Sequence, residues 1–209
     1  MAAVSAGAVA AVVAGKPVLV NEIDEREAGL RATNVASALP RPDTSEGRQL
    51  RRWLTQLVVA ERVVAAEAAA RGLTGTGACD RDDLLPDSAA RLEIGSIAAA
   101  TLADPAARAV FAAVTAHVAV DHRDVVAYHA RNPMRFAAKP AAGRHGWLGR
   151  AVAPAFDEVR DGIAGHLLGA ARRRAFRLWL DERCAALVEL APGYEHPGDP
   201  RQPDNTHKH

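Results

Sequence analysis

Between Val120 and Phe136 the chain gathers Asp121, His122, Asp124, Tyr128 and His129 in one short segment. Imidazole and carboxylate groups this close in sequence are the components of proton transfer near neutral pH, where an unperturbed histidine titrates. His122 and His129 are seven residues apart, so a helix sets them on one face, two turns from each other. His129 beside Tyr128 is the candidate general base or acid, with Asp124 and His122 as candidate catalytic neighbours. The competing reading leaves His122 solvated in a first helical turn and packs His129 against a neighbouring helix.

Other groups with chemical potential lie further on. The tail carries His196, His207 and His209, and imidazoles two apart can both reach a metal with Asp199 or Asp204 beside them. A possible divalent metal at the C-terminal tail is the cofactor expectation; termini are otherwise mobile unless docked. Arg144, His145 and Trp147 sit in a Gly/Pro/Lys/Arg loop over residues 137–149, where they and Phe136 are candidate binding residues. Arg172, Arg173, Arg174 and Arg177 form a basic cluster, read as a solvated helix face or as a surface for an acidic partner such as an acyl carrier protein. Gly165-His166-Leu167-Leu168-Gly169 resembles the nucleophile elbow of malonyl carrier-protein transferases, but Leu167 occupies the place of the serine and no strand precedes it. A serine acyltransferase is therefore excluded. His122-Arg123-Asp124 matches a kinase catalytic loop by chance, because no Gly-rich loop or Asp-Phe-Gly accompanies it.

These groups need elements to hold them. Val9–Val13 and Val18–Val20 read as two strands around Gly15-Lys16-Pro17, and Asn21 to Asp24 opens a helix. After a Pro-rich loop over residues 39–46, a long helix is expected from Gly47 to about Arg71. A stripe at spacings of three and four runs through Leu50, Leu54, Leu57, Val58, Glu61 and Val64, and Gly72 ends it as a left-handed cap. Thr74 to Pro86 reads as a loop, with helices over Ser88–Leu102 and Pro105–Val118, the latter opened by Asp104-Pro105. Asp121 caps the histidine-bearing helix, Asp124 takes the third position of a capping box, and Asn132-Pro133 stops it. A last long helix begins near Pro154 with Phe156, Val159, Ile163, Leu167, Phe176, Leu180 and Leu187 on its apolar side, and Ala186 to Leu190 can add a strand to the first hairpin.

The segment Val-Asp-His-Arg-Asp-Val-Val-Ala-Tyr-His-Ala-Arg-Asn-Pro-Met-Arg-Phe is similar to the helix that precedes the catalytic domain in parvulin-type prolyl isomerases and SurA-like chaperones, Val-Ser-Asp-x-Glu-Val-x-x-Tyr-Tyr-x-x-Asn-x-x-x-Phe. His129 stands at the second tyrosine. Gly15, Lys16, Pro17, Val18, Glu22, Ile23 and Asp24 match the family's opening hairpin and helix start, with Ala14 where the family has asparagine. Glu67 to Leu73 resembles its Gln-Glu-Ala-x-x-x-Gly-Ile helix end. The resemblance implies a mostly α, SurA-like chaperone domain of long crossing helices, with a small β-sheet from the N-terminal hairpin and a C-terminal strand. Residues 1–191 would form this one domain, with residues 84–117 as a helical insertion and 192–209 as a polar Pro/His-rich tail. Residues 137–149 stand where the isomerase domain would be, so prolyl isomerase activity is expected to be absent.

Bulk composition agrees with a globular chain. Of 209 residues, 49% are apolar, 24% charged and only 4% aromatic, so the core must draw on Ala, Val and Leu. A net charge of +1 gives no drive toward nucleic acid or an anionic membrane. Cys79 and Cys184 have neither metal-ligand nor redox spacing; free thiols are the first expectation and one long-range disulfide the other. The apolar start, residues 1–13, has no basic flank and is too short to span a bilayer, so a cytoplasmic location is expected. Two functions remain open. One is a cradle that binds a hydrophobic peptide or a carrier-bound acyl or polyketide chain, with a homodimer as one way to cover apolar walls. The other is a small isomerase or cyclase of secondary metabolism that uses the cradle as its pocket, an analogy prompted by the Ala/Arg-rich, actinobacterial-looking composition.

Overall fold

The computed structural model describes residues 7–137 and 152–195. Among these are eight α-helices and one three-stranded antiparallel sheet, so the chain is mostly α with a sheet built from the N-terminal hairpin and a C-terminal strand. The chain divides into two compact units, one comprising Met1–Val114 with Phe176–His209, the other Thr115–Ala175.

In the first unit, β1 (Val9–Val13) lies between β2 (Lys16–Leu19) and β3 (Val188–Leu190). Val13 faces Lys16 across the hairpin and Val188 on the other side, and Ala11 faces Val18 and Leu190. Ala10, Ala11 and Val13 are buried, as expected for a central strand. The hairpin turns at Ala14-Gly15, both in the left-handed region with φ of 48° and 76°, which matches the right-handed twist of the strands. Glycine takes this conformation freely; alanine does not.

Helix α1 (Val20–Arg31) follows without a loop. Glu22 accepts the Leu19 N–H at 2.9 Å and pairs with Arg62. Ile23 is fully buried, while Glu27, also buried, accepts from Arg31 and is paired with Arg51. Helix α2 (Ser45–Ala70) packs against α1 and β1. It starts two residues before the expected Gly47, because Thr44 is the cap and accepts the Gly47 N–H at 3.1 Å. A side chain at Gly47 would strike the Arg41 carbonyl at 2.1 Å, so the loop over residues 41–43 passes as close as glycine permits. The stripe expected on α2 is buried at Leu54, Leu57, Val58 and Val64, and Val59, Ala60 and Val63 widen it. Its end is a Schellman cap: Gly72 has φ +62°, and the Leu73 N–H reaches the Ala68 carbonyl at 2.9 Å.

Three expectations change here. The stretch over residues 74–86 contains a short helix, α3 (Arg81–Leu84), which carries Leu85 into full burial. The helix expected over Ser88–Leu102 is two, α4 (Ser88–Ile94) and α5 (Ser96–Thr101), because Gly95 at φ +87° leaves the helical region. Helix α6 (Pro105–Val114) is capped by Asp104 through the Ala106 N–H at 2.9 Å, but ends four residues before Val118, where a turn from Thr115 to Val118 takes over.

In the second unit, α7 (His122–Arg131) is capped by Asp121, whose carboxylate accepts the Arg123 N–H at 2.8 Å. Asn132 leaves the helical region at φ −134°, as the following Pro133 requires. Helix α8 (Phe156–Leu187) begins in this unit and continues into the first, where Phe176 and Leu180 are buried. Among the described residues no helix is long and apolar enough to cross a membrane.

Two outcomes follow. Ala14→Gly should raise unfolding stability by about 1 kcal/mol by removing the left-handed penalty, read from denaturant midpoints; an unchanged midpoint would mean the turn carries no strain. The carboxyl of Glu22 is held below its ordinary 4.5, first by the Leu19 N–H and then by Arg62, against an opposing effect of burial. A lowered folded value contributes stability above pH 4.5 that is lost as pH falls through it. Glu22→Gln should therefore flatten the acid-side loss of stability relative to the natural chain, and an identical pH profile would contradict this.

Candidate functional site

Helix α7 carries all four expected catalytic residues, His122, Asp124, Tyr128 and His129. His122 and Asp124 are exposed, while Tyr128 and His129 are half-buried beside the buried Val125. The seven-residue spacing does place His122 and His129 on one face: both meet the Phe156 ring edge-on, at centroid distances of 5.9 and 5.5 Å. His129 Nε2 lies 3.2 Å from the Pro154 carbonyl. A carbonyl only accepts, so Nε2 carries the proton and Nδ1 is the nitrogen left to act as a base.

Tyr128 turns instead to His166 on α8, with its hydroxyl 3.2 Å from Nε2. Phe136 packs against both rings, at 6.4 Å from Tyr128 and 6.1 Å from His166. It also lies 3.7 Å from the place a side chain would take at Gly162. That is an ordinary contact distance, so the ring would accept a methyl group at Gly162. His166 is the residue that motif reasoning set aside, because the serine-elbow comparison considered only what replaced the serine.

The remaining expected residues divide in two. Arg144, His145 and Trp147, and the tail residues His196, His207 and His209, lie outside the described residues. Among the described residues no group of three or more His, Cys, Asp or Glu is placed to hold a metal ion. The basic cluster is not uniformly solvated: Arg174 and Arg177 are exposed, but Arg173 is only 5% exposed. Its place three residues before the buried Phe176 turns it toward the buried side of α8.

The first unit holds hollows that sequence reasoning did not locate. One, of about 710 Å³, runs between α1, α2 and the α5–α6 turn and is walled by charge. Its arginines are already engaged, Arg26 by Glu61 and Arg62 by Glu22. A second, a groove of about 390 Å³, lies between α2, the α4–α5 break and α8. Its floor is apolar, with Ala60, Ile94, Ala98 and Leu180 buried and Ile97 half-buried. Polar groups mark its edges: Gln56, Ser96, Arg177 and Asp181. Ser96 accepts the Trp53 indole N–H at 3.1 Å, which sets a tryptophan beside the groove. Gly95 produces this shape, because the break at its positive φ turns the backbone between Ile94 and Ile97.

Both cysteines are free thiols. Cys184, in the groove, is pushed up to about 11 by burial and by the nearby Asp181 carboxylate, while Cys79 is exposed. Near neutral pH a thiol reagent should label Cys79 rapidly and Cys184 slowly, read by mass spectrometry of the labelled peptides; equal rates would contradict the burial of Cys184.

A family model matches residues 9–46, which span the hairpin, α1 and the loop into α2; it describes a family of unknown function, DUF7158. No curated protein and no solved structure matches the chain.

Proposed function

We propose that the chain is a non-catalytic, SurA-like binder, which holds an extended apolar segment in the groove between α2, the α4–α5 break and α8. The observation that carries this reading is the groove itself: an apolar floor of about 390 Å³ rimmed by a few polar groups. Hollows of this size with few polar groups are the usual form of ligand sites. The α-rich fold, with a sheet drawn from both ends of the chain, agrees with what the parvulin-type resemblance implies.

The acid–base reading has less support. Tyr128, His166 and Phe136 are half-buried and pack ring against ring, and His129 is tied to a backbone carbonyl. The charged hollow beside α1 suits an apolar chain poorly, since a buried methylene gains nothing from a wall of ion pairs.

Titration with the apolar fluorophore 8-anilinonaphthalene-1-sulfonate tests the reading. Ile97→Asp puts a charge on the groove wall and should weaken dye binding by roughly tenfold, about 1.4 kcal/mol, with far-UV circular dichroism unchanged. Dye binding that is unaffected by Ile97→Asp would remove the groove as the site.

A further inference from the structure

Beyond β3 the chain is led to the edge of the groove. The Ala191 N–H bonds the Ala10 carbonyl at 3.0 Å. Two side chains of α2 then take the backbone in turn: Arg52 Nε donates to the Gly193 carbonyl at 3.3 Å, and Gln56 Nε2 to the Tyr194 carbonyl at 3.4 Å. Arg52, Gln56 and Ala60 are spaced by four, so they form one row on α2. Gln56 and Ala60 both line the groove. The chain therefore follows this row toward the groove and meets its rim at Tyr194.

The rim is a shallow apolar seat. Ala60, Ala98 and Leu180 are closed off beneath it, whereas Trp53, Ile97 and Cys184 are half-buried and keep surface open to contact. Trp53 precedes Gln56 by three residues on α2, and its indole N–H is held by Ser96 on the groove wall. The residues after Glu195 read His-Pro-Gly-Asp-Pro-Arg-Gln-Pro, with prolines at 197, 200 and 203. A polyproline II helix has three residues per turn, so this spacing sets all three rings on one ridge. Such ridges dock in shallow grooves lined by aromatic side chains, at little cost in ordering entropy.

We propose that the segment from Pro197 to Pro203 lies across the groove of its own chain as a polyproline II ridge and competes there with incoming ligand. This rests on the binder reading and adds how access to the groove is regulated. The segment enters beside Gln56, where Tyr194 is already held, and its rings meet Trp53 and Ile97. Its reach is sufficient: at about 3.1 Å per residue, Pro197 to Pro203 spans about 19 Å. The α8 wall from Arg177 to Cys184 rises only about 10 Å. The tether makes the contact intramolecular, at an effective concentration of about a millimolar, so even a weak contact is populated.

The full chain carrying Pro197→Gly, Pro200→Gly and Pro203→Gly tests this, because it keeps the tether and every charge but loses the ridge. It should bind 8-anilinonaphthalene-1-sulfonate roughly tenfold more tightly than the natural chain, as expected when an intramolecular competitor is removed. Its Cys184 should react faster with a thiol reagent, while Cys79 reacts at the natural rate. A peptide of residues 196–209, added at about millimolar concentration to match the tether, should displace the dye from the variant. Unchanged dye affinity and unchanged Cys184 labelling in the variant would overturn the proposal; if Ile97→Asp still weakens the dye, the binder reading stands. A difference between the two chains that grows with protein concentration would place the segment on a second copy and overturn it too. Dye binding insensitive to Ile97→Asp would remove the binder reading, and Cys184 labelling alone would then decide whether the segment covers the groove.

Discussion

The arrangement of the first unit depends on one constraint: β1 is a central strand whose two neighbours come from opposite ends of the chain. Its partner β2 is local, two residues away through a tight turn, and β3 arrives only after α8. With both edges paired, the backbone groups of a buried Ala-Val strand are satisfied without water. The Ala14 N–H bonded to the Leu187 carbonyl at 2.8 Å and the Ala191 N–H bonded to Ala10 at 3.0 Å extend the seam beyond β3 itself. Long-range pairing of this kind costs chain entropy before it returns anything, so the segments between must pack well enough to bring β3 home.

Helix α2 is what they pack on. It meets β1, α1, α5 and α6, and most of its inward residues are small or β-branched. A core with few aromatics fills by close approach of backbones, and Ala60 and Ala68 on α2 permit it. The exceptions are Phe111, Phe176 and Trp179, whose rings run together at 5.2 and 5.5 Å where α6 meets the end of α8. Polar ties fix the loops around this frame. Arg31 reaches the Pro40 carbonyl at 2.8 Å, and the chain past β3 is held on α2 through Arg52 to Gly193 and Gln56 to Tyr194. The groove is a consequence of the same packing: Gly95 divides what would have been one helix, and the break between the two short pieces lines the groove.

What was legible in the sequence is what local rules decide. The hairpin, the caps at Asp104, Asp121 and Gly72, and the stop at Asn132-Pro133 each follow from residue types within a few positions. Period-3.6 patterning located α2 and α8 well, although Thr44 rather than Gly47 sets where α2 begins. The break at Gly95 was harder to read, because alanine on both sides favours continuing the helix and only the backbone at φ +87° shows that it does not. Partnerships across the chain were not legible at all. Tyr128 and His166 are 38 positions apart, and nothing local to either names the other. Arg173 lay hidden in a basic run whose charge pattern alone suggests solvent. The groove was invisible for the same reason: its residues come from three separate stretches, none of which carries a motif.

The central claim is that the groove, rather than the histidines of α7, is where this protein meets its ligand. Amide chemical-shift mapping with 8-anilinonaphthalene-1-sulfonate tests it most directly, because it reports on every position at once. The account predicts shifts concentrated at Ala60, Ile97, Ala98 and Leu180, with Tyr128, His129 and His166 unmoved. Shifts confined to α7 and the first turns of α8, with the groove silent, would contradict it.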